Sequence, residues 1–415
     1  MTKKLKILTL SDHPLFQTGV AIQTRLFIES MLQTEKYNIV SLAGALKHED
    51  KSPIRTEQYG DDWKIYPVDN YGNQEILRSA IRTEKPDIVW IMTDPRYWSW
   101  LWEMEEEVRS KCSLVYYHVW DNYPVPKFNK KYYDSNDVVV SASKLTEEVV
   151  AATKTTAMQH RIPHTYDSSV YKKLPSKEVE SFRKEHFGSE ERTIFFFNNR
   201  NIQRKNISSL LWWYKSFLEK TDKNTTLLIH TDPEEPTGVN VEELIKTLGF
   251  NREQIMLSPV KYPPSKMAML YNSVDCTINI SEAEGFGLST LESLACGTPI
   301  IVTNTGGLKE QVTDGENMFG ISISPSVKTV VGSQSIPYIY QDRISEEQFV
   351  SALNNFTSLT NEEREEMGNS GMKYVIENYN INDYSQKWDS VITEIYNSKG
   401  SWEKRSHNSW EIIEL

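Results

Sequence analysis

The amino-acid sequence predicts an α/β protein built from two doubly wound domains, and three observations indicate this fold class. The chain has 415 residues, which is more than a single hydrophobic core usually serves. Short apolar runs alternate with helical patterns along most of the chain, as in parallel sheets. The clearest βαβ unit spans 275–304, where an apolar strand, a glycine loop, a helix and a second apolar strand follow one another.

The first domain is predicted over 1–175. Its apolar runs predict strands over 6–10, 37–42, 86–92, from 114, and over 137–143; helical spacing predicts helices over 21–32, 74–84 and 144–152. Gly19 stands at the first strand-to-helix turn, where a glycine would let backbone amides approach an anion. A plain turn with no ligand is the alternative.

Candidate ligand-binding residues of this domain follow two of its strands. Trp98 lies in a tryptophan-rich stretch together with Asp94; core packing explains such tryptophans, and a stacking surface for a sugar acceptor is the alternative. His118 and Asp121 follow the next strand. A histidine at a strand end is either a satisfied structural group or a functional one, and the carboxylate three residues on favours function.

The second domain is predicted over 176–380 and begins with a helix over 178–187 and a strand over 192–200. Arg200, Arg204 and Lys205 then precede a helix. Fixed cations at a helix N-terminus suit a diphosphate, and a solvated basic turn is the alternative.

The rest of the second domain follows the same alternation up to a segment with weaker patterning. Residues 320–345 lack strong periodicity and are expected to form an insertion or loop, and the chain from 346 on is expected to be helical. The remaining predictions are helices over 207–218, 241–248, 266–273 and from 288, and strands over 225–230, 256–260, 275–280 and 300–303.

Two glutamates stand at the glycine loop of the βαβ unit. Glu284 lies in the loop and Glu292 about two turns into the helix, so both can point toward one ligand. Carboxylates at a helix start that could bind phosphate are best explained as acceptors for neutral hydroxyl groups of a sugar or ribose. Solvated surface glutamates are the alternative.

This stretch, Glu284-Gly-Phe-Gly-Leu followed by Glu292 and Ala-Cys-Gly-Thr-Pro-Ile-Ile, resembles the donor-site signature of family 4 glycosyltransferases. The resemblance implies that Glu284 contacts sugar hydroxyls and that Glu292 holds the ribose. It also implies that the backbone of Phe286, Gly287 and Leu288 contacts the sugar and the phosphates.

The same resemblance implies roles elsewhere in the chain. Arg200 and Lys205 are spaced like the family's arginine and lysine that face the diphosphate, Gly19 matches a loop near the donor, and His118 matches a histidine at the donor sugar. The fold implied is GT-B: two Rossmann-like domains facing a cleft, with a C-terminal segment, 381–415, whose helix crosses back to the first domain. The implied catalytic residues are His118, Arg200, Lys205 and Glu284.

The function expected is transfer of a hexose from a UDP- or GDP-sugar, with retention, to a hydroxyl group of a saccharide, a lipid-linked molecule or another acceptor. No metal or cofactor is expected. A glycosyltransferase acting on modified bases of nucleic acid and a GT-B sugar-nucleotide epimerase are the alternatives. A non-catalytic sensor would not need His118, Arg200, Lys205 and Glu284 together.

Composition excludes several other classes. The net charge of −11 argues against a broad nucleic-acid surface, so a nucleic-acid partner is not favoured. Three widely spaced cysteines indicate neither a disulfide framework nor a metal site. No apolar run approaches the roughly 18 residues of a membrane span, and we expect a cytoplasmic protein.

Overall fold

The chain folds into two compact units. A computed structural model describes residues 4–188 and 192–407. Unit 1 comprises the residues up to Thr165 together with the chain from Ile381 on, and unit 2 is Tyr166–Asn380. The division lies before the boundary predicted at 175 because the segment that begins at Tyr166 has its contacts within unit 2.

The regular elements alternate along the chain. The strands are β1 Leu5–Asp12, β2 Tyr37–Gly44, β3 Ile54–Arg55, β4 Trp63–Pro67, β5 Ile88–Met92, β6 Ser113–His118, β7 Val138–Ser141, β8 Met158–Arg161, β9 Thr193–Asn198, β10 Thr225–His230, β11 Ile255–Ser258, β12 Cys276–Asn279, β13 Ile300–Thr303, β14 Gly320–Ile323, β15 Val327–Val331 and β16 Ile339–Arg343. The helices are α1 Gly19–Leu32, α2 Gln74–Glu84, α3 Ser99–Trp102, α4 Glu105–Arg109, α5 Lys130–Asp134, α6 Lys144–Ala152, α7 Ser176–Phe187, α8 Ile207–Glu219, α9 Val241–Thr247, α10 Pro264–Ser273, α11 Leu288–Ala295, α12 Lys309–Val312, α13 Glu346–Ser358, α14 Asn361–Asn378 and α15 Ile381–Lys399.

Unit 1 is built on an eight-stranded sheet with the order β3-β4-β2-β1-β5-β6-β7-β8. Its neighbouring strands are parallel except for β3 and β4. The strand order reverses beside β1, so the carboxyl ends of β1 and β5 flank the position where doubly wound sheets bind ligands. The sequence patterns did not predict β3, β4 and β8: β3 has two residues, β4 alternates buried with half-buried positions, and β8 is polar.

Helix α15 packs in unit 1, against α1. Phe27 of α1 stacks on Trp90 of β5 with ring centroids 4.3 Å apart, and Trp388 of α15 meets Phe27 edge-on at 4.9 Å. The segment after α15 is fixed to the same unit, because the Trp402 indole donates to the carbonyl of Pro86 at 3.0 Å. Helix α15 therefore completes the core of unit 1, and the tail predicted beyond 407 lies outside the described residues.

Unit 2 is built on a parallel six-stranded sheet with the order β11-β10-β9-β12-β13-β14. Of the two alternatives for 320–345, an insertion or a loop, the plain loop is wrong. This segment adds β14 to the sheet and then forms a separate antiparallel hairpin of β15 and β16. Strand β15 was not predicted because none of its residues is buried, so it has no buried apolar face to produce an alternating pattern.

No helix in the described ranges, 4–188 and 192–407, is long and apolar enough to cross a membrane. All three cysteines are buried free thiols. The cytoplasmic location stays a prediction.

Candidate active site

The loop after β9 brings two cations to the start of α8. Gln203–Lys205 form a short 3-10 turn, and Asn206 ends it with a left-handed backbone at φ 63°, a conformation that asparagine adopts more readily than most residues. The amide of Glu282, in the loop after β12, donates to the carbonyl of Arg204 at 2.9 Å. Because β9 and β12 are parallel neighbours, their exit loops meet at one edge of the sheet.

Glu284 is the centre of a buried cluster of charges at this edge. The Lys205 ammonium donates to Glu284 Oε2, and Arg204 Nη1 lies 3.3 Å from the same oxygen. Burial alone would raise the pKa of Glu284, but the charges of Lys205 and Arg204 outweigh it and lower the pKa to about 2. Lys205 is only 7% exposed, so this lysine and this carboxylate are held together inside the protein.

Arg200 takes a different partner. Its guanidinium forms a bidentate pair with Glu235, with Nε and Nη2 at 2.7 and 2.9 Å from the carboxylate oxygens, and its side chain is 65% exposed. The hydrogen bonds from Arg200 lower the pKa of Glu235 to about 2. The structure thus places Arg204 with Lys205 at Glu284. The sequence places both Arg200 and Arg204 in this loop, but their spacing did not predict that Arg204 contacts Glu284 while Arg200 pairs with Glu235.

The glycine loop presents its backbone rather than its side chains. Gly287 caps α11 with φ 97°, and a Cβ there would lie 2.6 Å from the Leu308 side chain, so glycine is required. Phe286 is buried, and its carbonyl accepts from Gln311 at 2.9 Å. Leu288 is the first residue of α11 and is partly exposed. A ligand at this loop would therefore meet peptide groups at a helix N-terminus.

Glu292 lies in α11 among tyrosines. The Tyr271 hydroxyl donates to Glu292 Oε2 at 3.0 Å and accepts from Asn198 Nδ2 at 2.7 Å. Burial raises the pKa of Glu292 to about 7, with hydrogen bonds from Tyr271 and Tyr171 opposing the rise. Sequence reasoning missed Tyr271, Tyr171 and Asn198, because they lie in α10, in the segment before α7 and in β9, and none belongs to a recognisable motif.

His118 ends β6 as a buried group. Its Nδ1 lies 3.0 Å from the Tyr116 hydroxyl and its Nε2 lies 2.9 Å from the Tyr133 hydroxyl. Burial, and then the charge of Arg96, lower the pKa of His118 to about 3, so the ring is neutral at pH 7. These contacts are those of a satisfied structural histidine, and the contact of His118 with a donor sugar stays a prediction.

In the tryptophan-rich loop, Trp98 packs in the core, which was the first of the two explanations, and the alternative of a stacking surface at Trp98 is wrong. Trp98 is 1% exposed and packs edge-on against Tyr71 at 5.0 Å, so it offers no open ring face to an acceptor. The exposed ring is that of its neighbour Tyr97, which is 56% exposed and stacks on Tyr71 at 4.9 Å. Asp94 caps the turn that follows it and forms an ion pair with Arg96.

The other two predicted residues of unit 1 follow strands β1 and β6 in the chain. Gly19 is the exposed first residue of α1, whose N-terminus is capped by Thr18. The Thr18 hydroxyl also donates to Asp12, the last residue of β1, at 2.7 Å. Asp121 lies in the loop after β6 and is partly exposed. Their roles stay predictions.

Within the part of the chain that the structure describes, no group of three or more His, Cys, Asp or Glu side chains could hold a metal ion. That the reaction requires no metal or cofactor stays a prediction.

Known proteins resemble this chain in sequence over parts of its length and in fold over nearly all of it. A stretch of 77 residues is 38% identical to a D-inositol 3-phosphate glycosyltransferase from Corynebacterium urealyticum, and covers 19% of this chain and 18% of that protein. The fold is similar to that of sucrose-phosphate synthase from Thermosynechococcus elongatus, with a TM-score of 0.75 and 14% identity over 95% of this chain and all of that one. It is also similar to that of Anabaena HepE in complex with UDP and glucose, with a TM-score of 0.68 and 13% identity over 94% of this chain and all of that one.

These likenesses confirm the predicted GT-B fold, with parallel sheets in both units. Residues 178–374, nearly all of unit 2, match the family described as glycosyl transferases group 1. They include the loop of Arg204 and Lys205, the glycine loop and both glutamates. Residues 178–374 are thus similar to the group 1 glycosyl transferases, and the resemblance that the sequence motif indicated is confirmed.

Proposed function

We propose that the protein is a retaining glycosyltransferase that moves a hexose from a UDP- or GDP-sugar to an acceptor hydroxyl without a metal ion. The observation that carries the proposal is the buried contact of Lys205 and Arg204 with Glu284 at the carboxyl ends of β9 and β12. A diphosphate needs fixed positive charge and a sugar needs hydrogen-bond acceptors, and this cluster offers both groups side by side.

The charges of the cluster fit the departure of a nucleoside diphosphate. As the bond between the anomeric carbon and the phosphate oxygen breaks, negative charge grows on the diphosphate, and Lys205 and Arg204 would stabilise it. Arg200 would join them by exchanging Glu235 for a phosphate oxygen, since its side chain is mostly exposed. Glu284 remains ionised at any pH near neutrality and can accept hydrogen bonds from the sugar hydroxyls.

Retention follows if the acceptor oxygen attacks the face from which the diphosphate leaves. The leaving phosphate oxygen then takes the proton of the acceptor hydroxyl, and no enzyme nucleophile is needed. The family resemblance supports this step. UDP as the nucleotide is supported by the likeness to the fold of Anabaena HepE bound to UDP and glucose.

The acceptor is assigned only as a hydroxyl-bearing saccharide, lipid-linked molecule or other alcohol. The relative from Corynebacterium urealyticum is named for D-inositol 3-phosphate, but the matched stretch spans only 18% of its length. That stretch is too short to support D-inositol 3-phosphate as the acceptor of this protein.

A thermal-shift screen with UDP, GDP, ADP and their hexose derivatives tests the donor. Ligand at about 100 times its Kd stabilises a native protein by about 2.7 kcal/mol, so the true nucleotide should raise Tm by several degrees. The active donor is then mixed with candidate acceptors, and NMR of the new anomeric centre reads the stereochemistry. No shift and no turnover with any donor would refute the function, and an inverted product would refute retention.

A further inference from the structure

We propose that the hairpin formed by β15 and β16 braces the donor loop, residues 280–287 between β12 and α11, and that Asp342 is the positioning residue of this brace. The inference rests on the proposed function, because it assigns the hairpin a task at the donor site. The hairpin is a two-stranded sheet separate from the main sheet of unit 2, yet its second strand is bonded to the donor loop.

The first connection runs through Glu282. The Asp342 amide donates to the Glu282 carbonyl at 2.7 Å, while the Glu282 amide donates to the Arg204 carbonyl at 2.9 Å. The Glu282 side chain forms an ion pair with Arg343 Nε at 3.3 Å. The donor loop is therefore held on one side by the hairpin and on the other by the loop that carries Lys205.

The second connection runs through the loop after β13. The Thr305 hydroxyl donates to Asp342 Oδ2 at 2.7 Å. Two residues on, the Gly307 amide donates to the carbonyl of Glu284 at 2.8 Å. Gly307 also packs so closely on the donor loop that a Cβ there would lie 2.6 Å from Phe286 Cα. Asp342 is thus joined to both segments that fix the backbone of Glu284.

The Asp342 carboxyl group is buried and therefore needs defined partners. Asp342 is 3% exposed, and a carboxyl group is placed inside a protein only with partners that compensate its lost hydration. Those partners include Thr305 and, at 3.7 Å, the ammonium group of Lys328 in β15. The donor loop is bonded at Glu282 by the Asp342 amide and at Glu284 by the Gly307 amide, and the Asp342 carboxylate links these two bonds through Thr305. Because a catalytic group must be held to within about 0.5 Å, this arrangement is well suited to present Glu284.

Hydrogen exchange of the full chain tests the brace directly. Asp342→Ala is expected to speed exchange in peptides covering 280–287 and 304–308 by about tenfold or more, since local opening needs fewer broken contacts. Exchange in β10 should not change. Val330→Ala, at an exposed position of β15, is the matched control and should leave both loops at wild-type rates. Unchanged exchange in the Asp342→Ala variant would overturn the proposal.

Turnover of the nucleotide sugar found in the donor screen gives the second measurement. We expect Asp342→Ala to lower kcat about tenfold with little change in KM for the donor, and Asp342→Asn, which still accepts from Thr305, to restore most of kcat. An equal loss in the Asn variant would contradict the role of this hydrogen bond.

A second variant and the exchange measurement by itself cover the cases in which Asp342→Ala does not fold or no donor is turned over. Should Asp342→Ala fail to fold, Thr305→Val removes the same hydrogen bond from the other side and should give the same faster exchange. If the wild-type protein turns over no nucleotide sugar, the proposed function fails, while the exchange measurement still decides whether the hairpin braces the loop.

Discussion

Replacement of Lys205 by alanine is the sharpest test of the charge cluster. In the wild-type protein the ammonium group donates to Glu284 inside unit 2, and Arg204 adds a second contact at 3.3 Å. The substitution removes the closer cation and leaves a buried carboxylate with Arg204. We therefore expect losses in both turnover and stability.

The two losses differ in size and in origin. Removal of one fixed donor to a developing negative charge lowers kcat by about 10²–10³-fold. Breaking a buried ion pair costs about 3–5 kcal/mol of unfolding free energy, and we expect the lower part of this range because Arg204 keeps one contact with Glu284.

The pH dependence of the unfolding free energy tests the Lys205–Glu284 ion pair independently of turnover. The pKa of Glu284 is lowered from its ordinary value of 4.5 to about 2 in the folded protein, so this carboxylate stabilises the fold above pH 4.5. That contribution disappears as the pH falls from 4.5 toward 2. Because Lys205→Ala raises the pKa of Glu284, the stability difference between wild type and variant should shrink as the pH falls through this window.

The assay combines urea unfolding with donor turnover. Lys220→Ala, at the exposed residue that follows the C-terminus of α8, removes a lysine far along the chain from the charge cluster and should leave turnover unchanged. Adding Glu284→Gln to Lys205→Ala should recover much of the stability, because the buried charge is gone, but none of the turnover. Turnover of Lys205→Ala within a few-fold of wild type would refute the reasoning.

Three other predictions concern Glu292, the tryptophan-rich loop and the segment after α15. Glu292, with its pKa of about 7, is about one-tenth ionised at pH 6 and nine-tenths ionised at pH 8. Because the ionised form is the better acceptor for ribose hydroxyls, calorimetry should show tighter UDP or GDP binding at pH 8, and Glu292→Gln should remove this pH dependence; the same pH dependence in both proteins would exclude Glu292 from the nucleotide site. The folded protein keeps the Glu292 carboxyl protonated up to about pH 7, whereas the unfolded chain loses this proton near pH 4.5. The free energy of unfolding should therefore decrease as the pH rises from 4.5 to 7, and it should decrease less in the Glu292→Gln variant. Trp98→Ala should cost about 3–5 kcal/mol of unfolding free energy in urea, whereas Tyr97→Ala, at an exposed ring, should cost far less; equal costs would contradict the assigned burial. Arg405→Ala removes the guanidinium whose Nη2 lies 3.0 Å from both carboxylate oxygens of the buried Asp137, and should cost about 3 kcal/mol or more of unfolding free energy. A wild-type Tm would show that the segment after α15 is not docked.

The order of strands and helices could be predicted because its signal is local. An apolar run such as 225–230, or the helical spacing over 74–84, depends on neighbours within a few residues, and the structure keeps both ranges unchanged. The same local signal failed at β15, where an exposed strand has no apolar face to show.

The sequence by itself determined which groups the donor-site motif contains: Lys205 after a strand, Glu284 in a glycine loop and Glu292 on the helix that follows. Only the tertiary structure decided how they pair. Lys205 meets Glu284 across 79 residues of chain because β9 and β12 are neighbours in the sheet. The same packing gives Glu292 a tyrosine hydroxyl from α10 and the donor loop a backbone amide from β16. Residue periodicity carries no record of such contacts, because it reports which side of an element is buried and not which element lies against it.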